Sequence, residues 1–324
     1  MKPAWSVVLF TVLSGAGLGL LALVAALDLA AVVFGPALSP IAPTTLRAIV
    51  TGIGLTVLGL GASTLHLANP RNAWRSFARF RTSWLSREAV FAVGLLAAAA
   101  LYGVLVFVAQ QGALRLLLAA ATLTLAWTVL ACTAMIYASL KPIPRWHTAW
   151  TPASYLALGH WTGALWLVAL AHLGSMIDLP LEIIAILLGL AALGVKIGYW
   201  QHVARLTPIT LEDAIGVARG VRPPPAAGAT VMRARLLDTG HTHGTFLTQE
   251  FGYALHPAHR LVARALFVVL GVLYPMAWIV TGESHPVSAG FAVTSGMIGV
   301  AAERWLFFAE ARHTVRLYHG EART

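Results

Sequence analysis

His66 and Glu88 are the residues of this 324-residue chain whose types and setting fit a defined chemistry. His66 stands in Ser63-Thr64-Leu65-His66-Leu67-Ala68-Asn69-Pro70, at the last turn of an apolar stretch. Asn69-Pro70 ends that helix and can start a short interfacial one, with Asn as N-cap and Pro at its first position. Glu88 closes Ser83-Trp84-Leu85-Ser86-Arg87-Glu88, where the next apolar stretch begins. The two residues are therefore expected at similar depth on neighbouring helices, close to one surface. An ionisable group in an apolar span is costly and marks a functional position by default. A quinone must gain or lose two protons with its two electrons. An imidazole of ordinary pKa ~6.5 can hydrogen-bond one quinone oxygen and exchange a proton with it. A carboxyl group beside it can relay that proton to or from water. A purely structural reading accounts for the same residues: His66 against its own helix C-terminus, and Glu88 paired with Arg87 or Arg81.

Other side chains give weaker patterns. His160, His172 and His202 raise the question of haem, since two His on neighbouring helices can ligate iron. His160 and His202 are the candidate ligands for a b-type haem, and His66 comes near His160 in depth. His241, His243, His256 and His259 match no standard zinc spacing, so no metal site is assigned and solvated or interface histidines are preferred. Asp28, near the far end of the first span, faces an inner cavity or reaches the outer interface. Asp178 and Glu182 open the sixth span, where acids meet the helix dipole favourably. Cys132 is the one cysteine. It excludes a disulfide framework and iron–sulfur clusters held by this chain, and reads as a small core residue.

The elements that carry these groups follow from composition. Apolar residues make up 58% of the chain, charged residues 10%, and the mean hydropathy is +0.77. A soluble domain carries about 25% charged residues. Stretches of roughly 20 apolar residues suffice to cross the ~30 Å hydrocarbon layer as helices. Eight are predicted, near 5–34, 46–68, 88–110, 114–138, 152–174, 179–201, 260–281 and 286–308. The first is too long for a signal h-region and is read as retained. The fold class is thus an all-α integral membrane bundle of about eight helices, with two four-helix halves as one arrangement. Residues 1–324 form a single membrane domain, and 202–259 is an extramembrane loop segment broken by Pro223-Pro224-Pro225.

All but Arg47 and Arg115 of the 22 Lys and Arg fall on one side of these spans. The positive-inside rule then puts both termini and the long loop in the cytoplasm. The charge of +10 therefore reflects orientation and contact with anionic membrane lipid, not nucleic acid. A secondary transporter is the alternative from another class. It would carry discontinuous helices and midplane charges, whereas the ionisable groups here gather near one surface.

Three stretches together resemble a known family. They are Trp5-Ser6-Val7-Val8-Leu9-Phe10-Thr11 running into Ser14-Gly15-Ala16-Gly17, then Ser63-Thr64-Leu65-His66-Leu67-Ala68-Asn69-Pro70 followed by Ala73, and Ser83-Trp84-Leu85-Ser86-Arg87-Glu88. They resemble the membrane-anchor subunit of dimethyl sulfoxide reductase and its relatives, including the anchor of the sulfite-oxidising molybdoenzyme. The resemblance implies a non-catalytic anchor in the bacterial cytoplasmic (inner) membrane. It implies an iron–sulfur subunit and a molybdopterin catalytic subunit as partners, which hold the Fe–S clusters and the Mo-pterin. It implies a quinone site for ubiquinone or menaquinone, not covalently bound, at His66 and Glu88, with Arg87 holding Glu88 or the partner. The long 202–259 connection favours the sulfite-oxidising type, with electrons running into quinone. A haem b-bearing cytochrome anchor is the alternative within the same class.

Overall fold

The computed structural model describes residues 1–35, 42–65, 69–173, 179–215, 251, 253–283 and 285–324. Eight long helices dominate it: α1 (Trp5–Phe34), α2 (Ala42–Thr64), α3 (Trp84–Phe107), α4 (Ala113–Ala138), α5 (Trp150–His172), α6 (Leu179–Ala204), α7 (Pro257–Thr281) and α8 (Pro286–Ala309). The first seven are long and apolar enough to cross a membrane. The 24-residue α8 has the length but carries Glu303 and Arg304, and it packs in the same bundle. The protein is a multi-pass, all-helical membrane protein.

Two four-helix groups are visible in the packing. In the first, α1 packs on α2 and α4, and α3 on α2 and α4. In the second, α5 packs on α6 and α8, and α7 on α6 and α8. The groups meet chiefly where α1 crosses α5. These two helices bury 72% of their most apolar window, against 28–39% for the other five spans. They form the inner pair, and the rest present much of their apolar surface outward, where lipid would cover it.

The α1–α5 crossing depends on small residues. A Cβ at Gly19 would land on the Gly159 carbonyl, and one at Gly163 on the backbone of Gly19 and Leu20. Helices without a solvent-driven force between them associate by such close backbone approach. Not every glycine in these spans has this duty, since Gly54 and Gly61 face open space.

Polar contacts fix the two ends of the bundle. On the side poor in positive charge, Arg115 of α4 grips Asp28 of α1 through two bonds of 2.9 and 2.7 Å. Tyr102 of α3 donates to the same carboxylate at 2.9 Å. Asp28 neither lines a described cavity nor reaches the outer interface: it belongs to a buried ion pair joining three helices. Nearby, Glu182 of α6 meets His172 of α5 at 3.1 Å. On the basic side, the Met1 ammonium donates to the Ala311 carbonyl at 2.7 Å, and the Thr324 N–H bonds to Ile209 at 3.1 Å. Both chain ends therefore lie on the basic side.

Two His-Pro pairs start the last two spans. His256 and His285 act as N-caps, their Nδ1 atoms accepting from Ala258 and Val287 at 3.2 Å, with Pro257 and Pro286 at the first helical position. His256, offered above as a metal or surface histidine, thus has a structural task. His241 and His243, the Pro223-Pro224-Pro225 break and Asp178 lie outside the described residues.

Candidate quinone site

The third motif shapes a cavity. Ser83 caps α3, its hydroxyl accepting from the Ser86 N–H at 3.4 Å. The buried Ser86 hydroxyl accepts from the Arg79 N–H at 3.1 Å, which ties α3 to the amphipathic 3-10 helix Pro70–Arg79. Arg87 lies over the Trp84 ring at 4.3 Å and donates to the carbonyls of Phe80 and Arg81, at 3.1 and 2.7 Å. It is turned to the connecting turn and away from Glu88. It ties the start of α3 to the turn before it.

Glu88 lies one turn into α3, because the helix begins at Trp84 and not at residue 88. The residue is 3% exposed and lines a cavity of about 570 Å³. That volume lies within the ~300–1,000 Å³ of small-molecule sites. Ser63 and Thr64 at the end of α2, Trp74 and Phe77 of the 3-10 helix, and Ile136 and Tyr137 of α4 complete the wall. Leu85 and Val93 on its rim are 45% and 57% exposed. Val93 stands nine residues into α3, so the lining runs into the apolar span.

Thr133 of α4 bonds Glu88 Oε1, and its hydroxyl also lies 3.0 Å from the Val129 carbonyl. A hydroxyl has one proton. Both contacts are satisfied together when the carboxyl group supplies the second. Thr133 and Tyr137 are one turn apart on the same face of α4, so the helix that holds the Glu88 carboxyl also lines the cavity through Tyr137.

His66 lies outside the described residues, as do Leu67 and Ala68. Its neighbours in the chain, Ser63 and Thr64, line the cavity that Glu88 borders. His160 and His202 are not brought together. His160 is ten residues into α5 from the basic side, about 15 Å at the helical rise, whereas His202 is in the last turn of α6 on that side. Both His160 ring nitrogens are engaged: Nδ1 with the Leu156 carbonyl at 2.7 Å, and Nε2 accepting from Trp127 at 2.9 Å.

A family model for the DMSO reductase anchor subunit (DmsC) matches residues 1–309. The chain belongs to this anchor-subunit family. It is also 34% identical, over 342 aligned residues, to a sulfite dehydrogenase subunit of Allochromatium vinosum, an alignment covering 98% of this chain and 99% of the relative. The anchor subunit is thus matched along nearly its whole length, well beyond the 90 or so residues that hold the three motifs.

The structure adds residues that the sequence reading missed. Thr133 and Tyr137 gave no signal, because neutral hydroxyls on apolar helices read as packing. Lys196 and Arg304 were counted only as basic-side charges. In fact the first is 0% and the second 2% exposed, inside the bundle with Glu303. Nearer the basic surface, burial holds the Arg145 guanidinium below its ordinary range, with Glu310 opposing the shift.

Proposed function

We propose that this anchor subunit binds quinone in the Glu88 cavity and joins it to an iron–sulfur subunit and a molybdopterin catalytic subunit in a three-subunit oxidoreductase. The membrane is the bacterial cytoplasmic one, with the basic face and both termini inward, by the positive-inside rule. The likeness to a sulfite dehydrogenase subunit favours sulfite as the electron source and quinone as the acceptor. The observation that carries the reading is a buried glutamate in the lining of a largely apolar cavity whose wall includes partly exposed side chains of an apolar span.

The apolar wall takes a lipid-soluble ring and tail from the bilayer and keeps water from the ring. Trp74 and Phe77 offer flat faces near the surface. Glu88, held by Thr133, presents an O–H to a ring oxygen as negative charge grows there, and is then reloaded from the basic side. His66, by the motif it shares with Ser63 and Thr64, serves the second oxygen. The quinone brings the two-electron chemistry; this chain contributes binding and protons. Electrons arrive from the partner at the basic face.

In membranes holding the whole complex, Glu88→Gln and His66→Ala are each expected to lower quinone-linked turnover about 100-fold, the scale of a lost general acid. Reduction of an artificial dye by the partner subunits is expected to continue in both. Normal quinone turnover in both variants would overturn the site. A b-type haem at His160 would need Trp127 to release Nε2, and the visible absorption spectrum of the purified complex tests it directly.

A further inference from the structure

Charges that play no part in the cavity are packed together in the second helix group. Lys196 of α6 is ion-paired with Glu303 of α8, and the Arg304 Nε donates to the other Glu303 oxygen at 2.5 Å. All three side chains are at most 2% exposed. At the helical rise, Lys196 lies about 12 Å and Glu303 about 9 Å inside the basic ends of their helices. Two cations share one carboxylate at a depth where ionisable groups mark a pathway by default.

Arg304 turns its guanidinium over the Tyr155 ring at 4.4 Å. Its Nη1 and Nη2 atoms and the Tyr155 hydroxyl make no hydrogen bond of normal geometry to any described protein atom, although Arg304 and Tyr155 lie close enough to interact electrostatically. Arg304 and Tyr155 also line one void of about 10 Å³, together with the hydroxyl-bearing Thr11 and Thr162. That is the room of one water molecule with polar partners on several sides. Tyr155 stacks on Tyr137 at 5.7 Å, and Tyr137 borders the Glu88 cavity. Both Glu88 and Arg304 are near enough to Tyr137 to act on it electrostatically. At the other end, Lys196 Nζ is 3.9 Å from the Tyr199 ring centre. The Tyr199 hydroxyl donates to the Arg145 carbonyl at 3.3 Å, in the basic connection between α4 and α5.

We propose that these residues form a proton path from the basic face to the cavity, resting on the quinone reading above. A proton from the basic face reaches buried Lys196 and Glu303 through transient water. A water held by Arg304 passes it to Tyr155, a swing of the stacked rings brings the Tyr155 and Tyr137 hydroxyls together, and Tyr137 delivers it to a ring oxygen. Each reduction of the quinone consumes two electrons from the partner and two protons. The path supplies the proton taken up at the oxygen that His66 holds, and Glu88 supplies the other. At every step one O–H or N–H bond breaks as the next forms, and water at the basic face refills the chain. Arg304 keeps its own protons and acts as the positioning residue.

The decisive variant is Tyr155→Phe, which removes only a hydroxyl that makes no hydrogen bond of normal geometry to a described protein group. A structural role predicts little effect from losing such a group. The path predicts that quinone-linked turnover of the membrane-bound complex falls about tenfold or more. It also predicts a larger ratio of rates in H2O and D2O, with unchanged binding of a short-chain quinone analogue. The double variant Lys196→Met/Glu303→Gln removes one charge of each sign and tests the inner end, with partner retention as the check on assembly. If it does not assemble, Tyr155→Phe decides alone. Wild-type turnover and isotope ratio in Tyr155→Phe overturn the path. If Glu88→Gln still loses turnover in that case, the cavity stands without the path; if Glu88→Gln is also normal, the cavity reading has failed.

Discussion

Gly19→Leu and Gly163→Leu chains are expected to be absent from the membrane fraction. A side chain at either position meets backbone, since Cβ of residue 19 would occupy the place of the Gly159 carbonyl and Cβ of residue 163 that of Gly19 and Leu20. Overpacking a flexible core costs about 1–3 kcal/mol. Here no rotamer change relieves the clash, so α1 and α5 must separate. That seam is the main junction of the two four-helix groups and holds the two most buried spans, so the smaller contacts of α4 with α5 and α1 with α8 are disturbed with it. Immunoblots of membranes, with Gly54→Ala as the companion, test this. Gly54 faces open space and its variant is expected at wild-type abundance. Equal abundance of all three would show that the two backbones do not approach this closely.

The second large effect is expected at the far end of the bundle. Arg115→Met alone leaves Asp28 buried without its bidentate partner, and removing one member of a buried pair costs about 3–5 kcal/mol. Tyr102 remains to donate to Asp28 but brings no charge. Asp28→Leu/Arg115→Met is expected to recover most of the loss, because a well-packed apolar pair often matches a buried ion pair. Thermal unfolding of the detergent-solubilised complex, read for both variants, gives the comparison. A single variant as stable as the parent would mean that water reaches the pair, and that α1, α3 and α4 are fixed by packing alone.

Most of the bundle was readable from hydrophobic length. The predicted ends of α1 coincide with those found, and the others lie within about one turn. The shift that mattered was α3, predicted from residue 88 and found from Trp84. Hydropathy starts late there, but the Ser83 cap sets the start earlier. Glu88 therefore stands one turn inside the span, where it borders the cavity. Arg87 illustrates a different limit. Its place beside Glu88 in the motif suggested support for the carboxylate, yet neighbours in a helix point about 100° apart, and Arg87 faces the turn. Pairings across distant helices, such as Asp28 with Arg115 or Lys196 with Glu303, leave no local pattern. Charge alone hinted at them. Lys196 was the legible case, a lysine well inside a span, and counting it by sign for orientation hid its burial.

One turn of α7 bears on how the basic face is set. Residues Phe267–Leu273 form a π-helix, in which each amide reaches back five residues. The Gly271 and Leu270 carbonyls there accept from Trp161 at 2.7 Å and Ser295 at 2.8 Å, which locks the widened coil between α5 and α8. Wound as ordinary α-helix with no residue removed, this coil would rotate everything before it by about 100°. Arg260, 2.7 Å from Glu310, and Arg264 would swing away from that carboxylate. The compass bearing of Arg260 and Arg264 on the basic face is thus set by a one-residue surplus deep in the apolar layer.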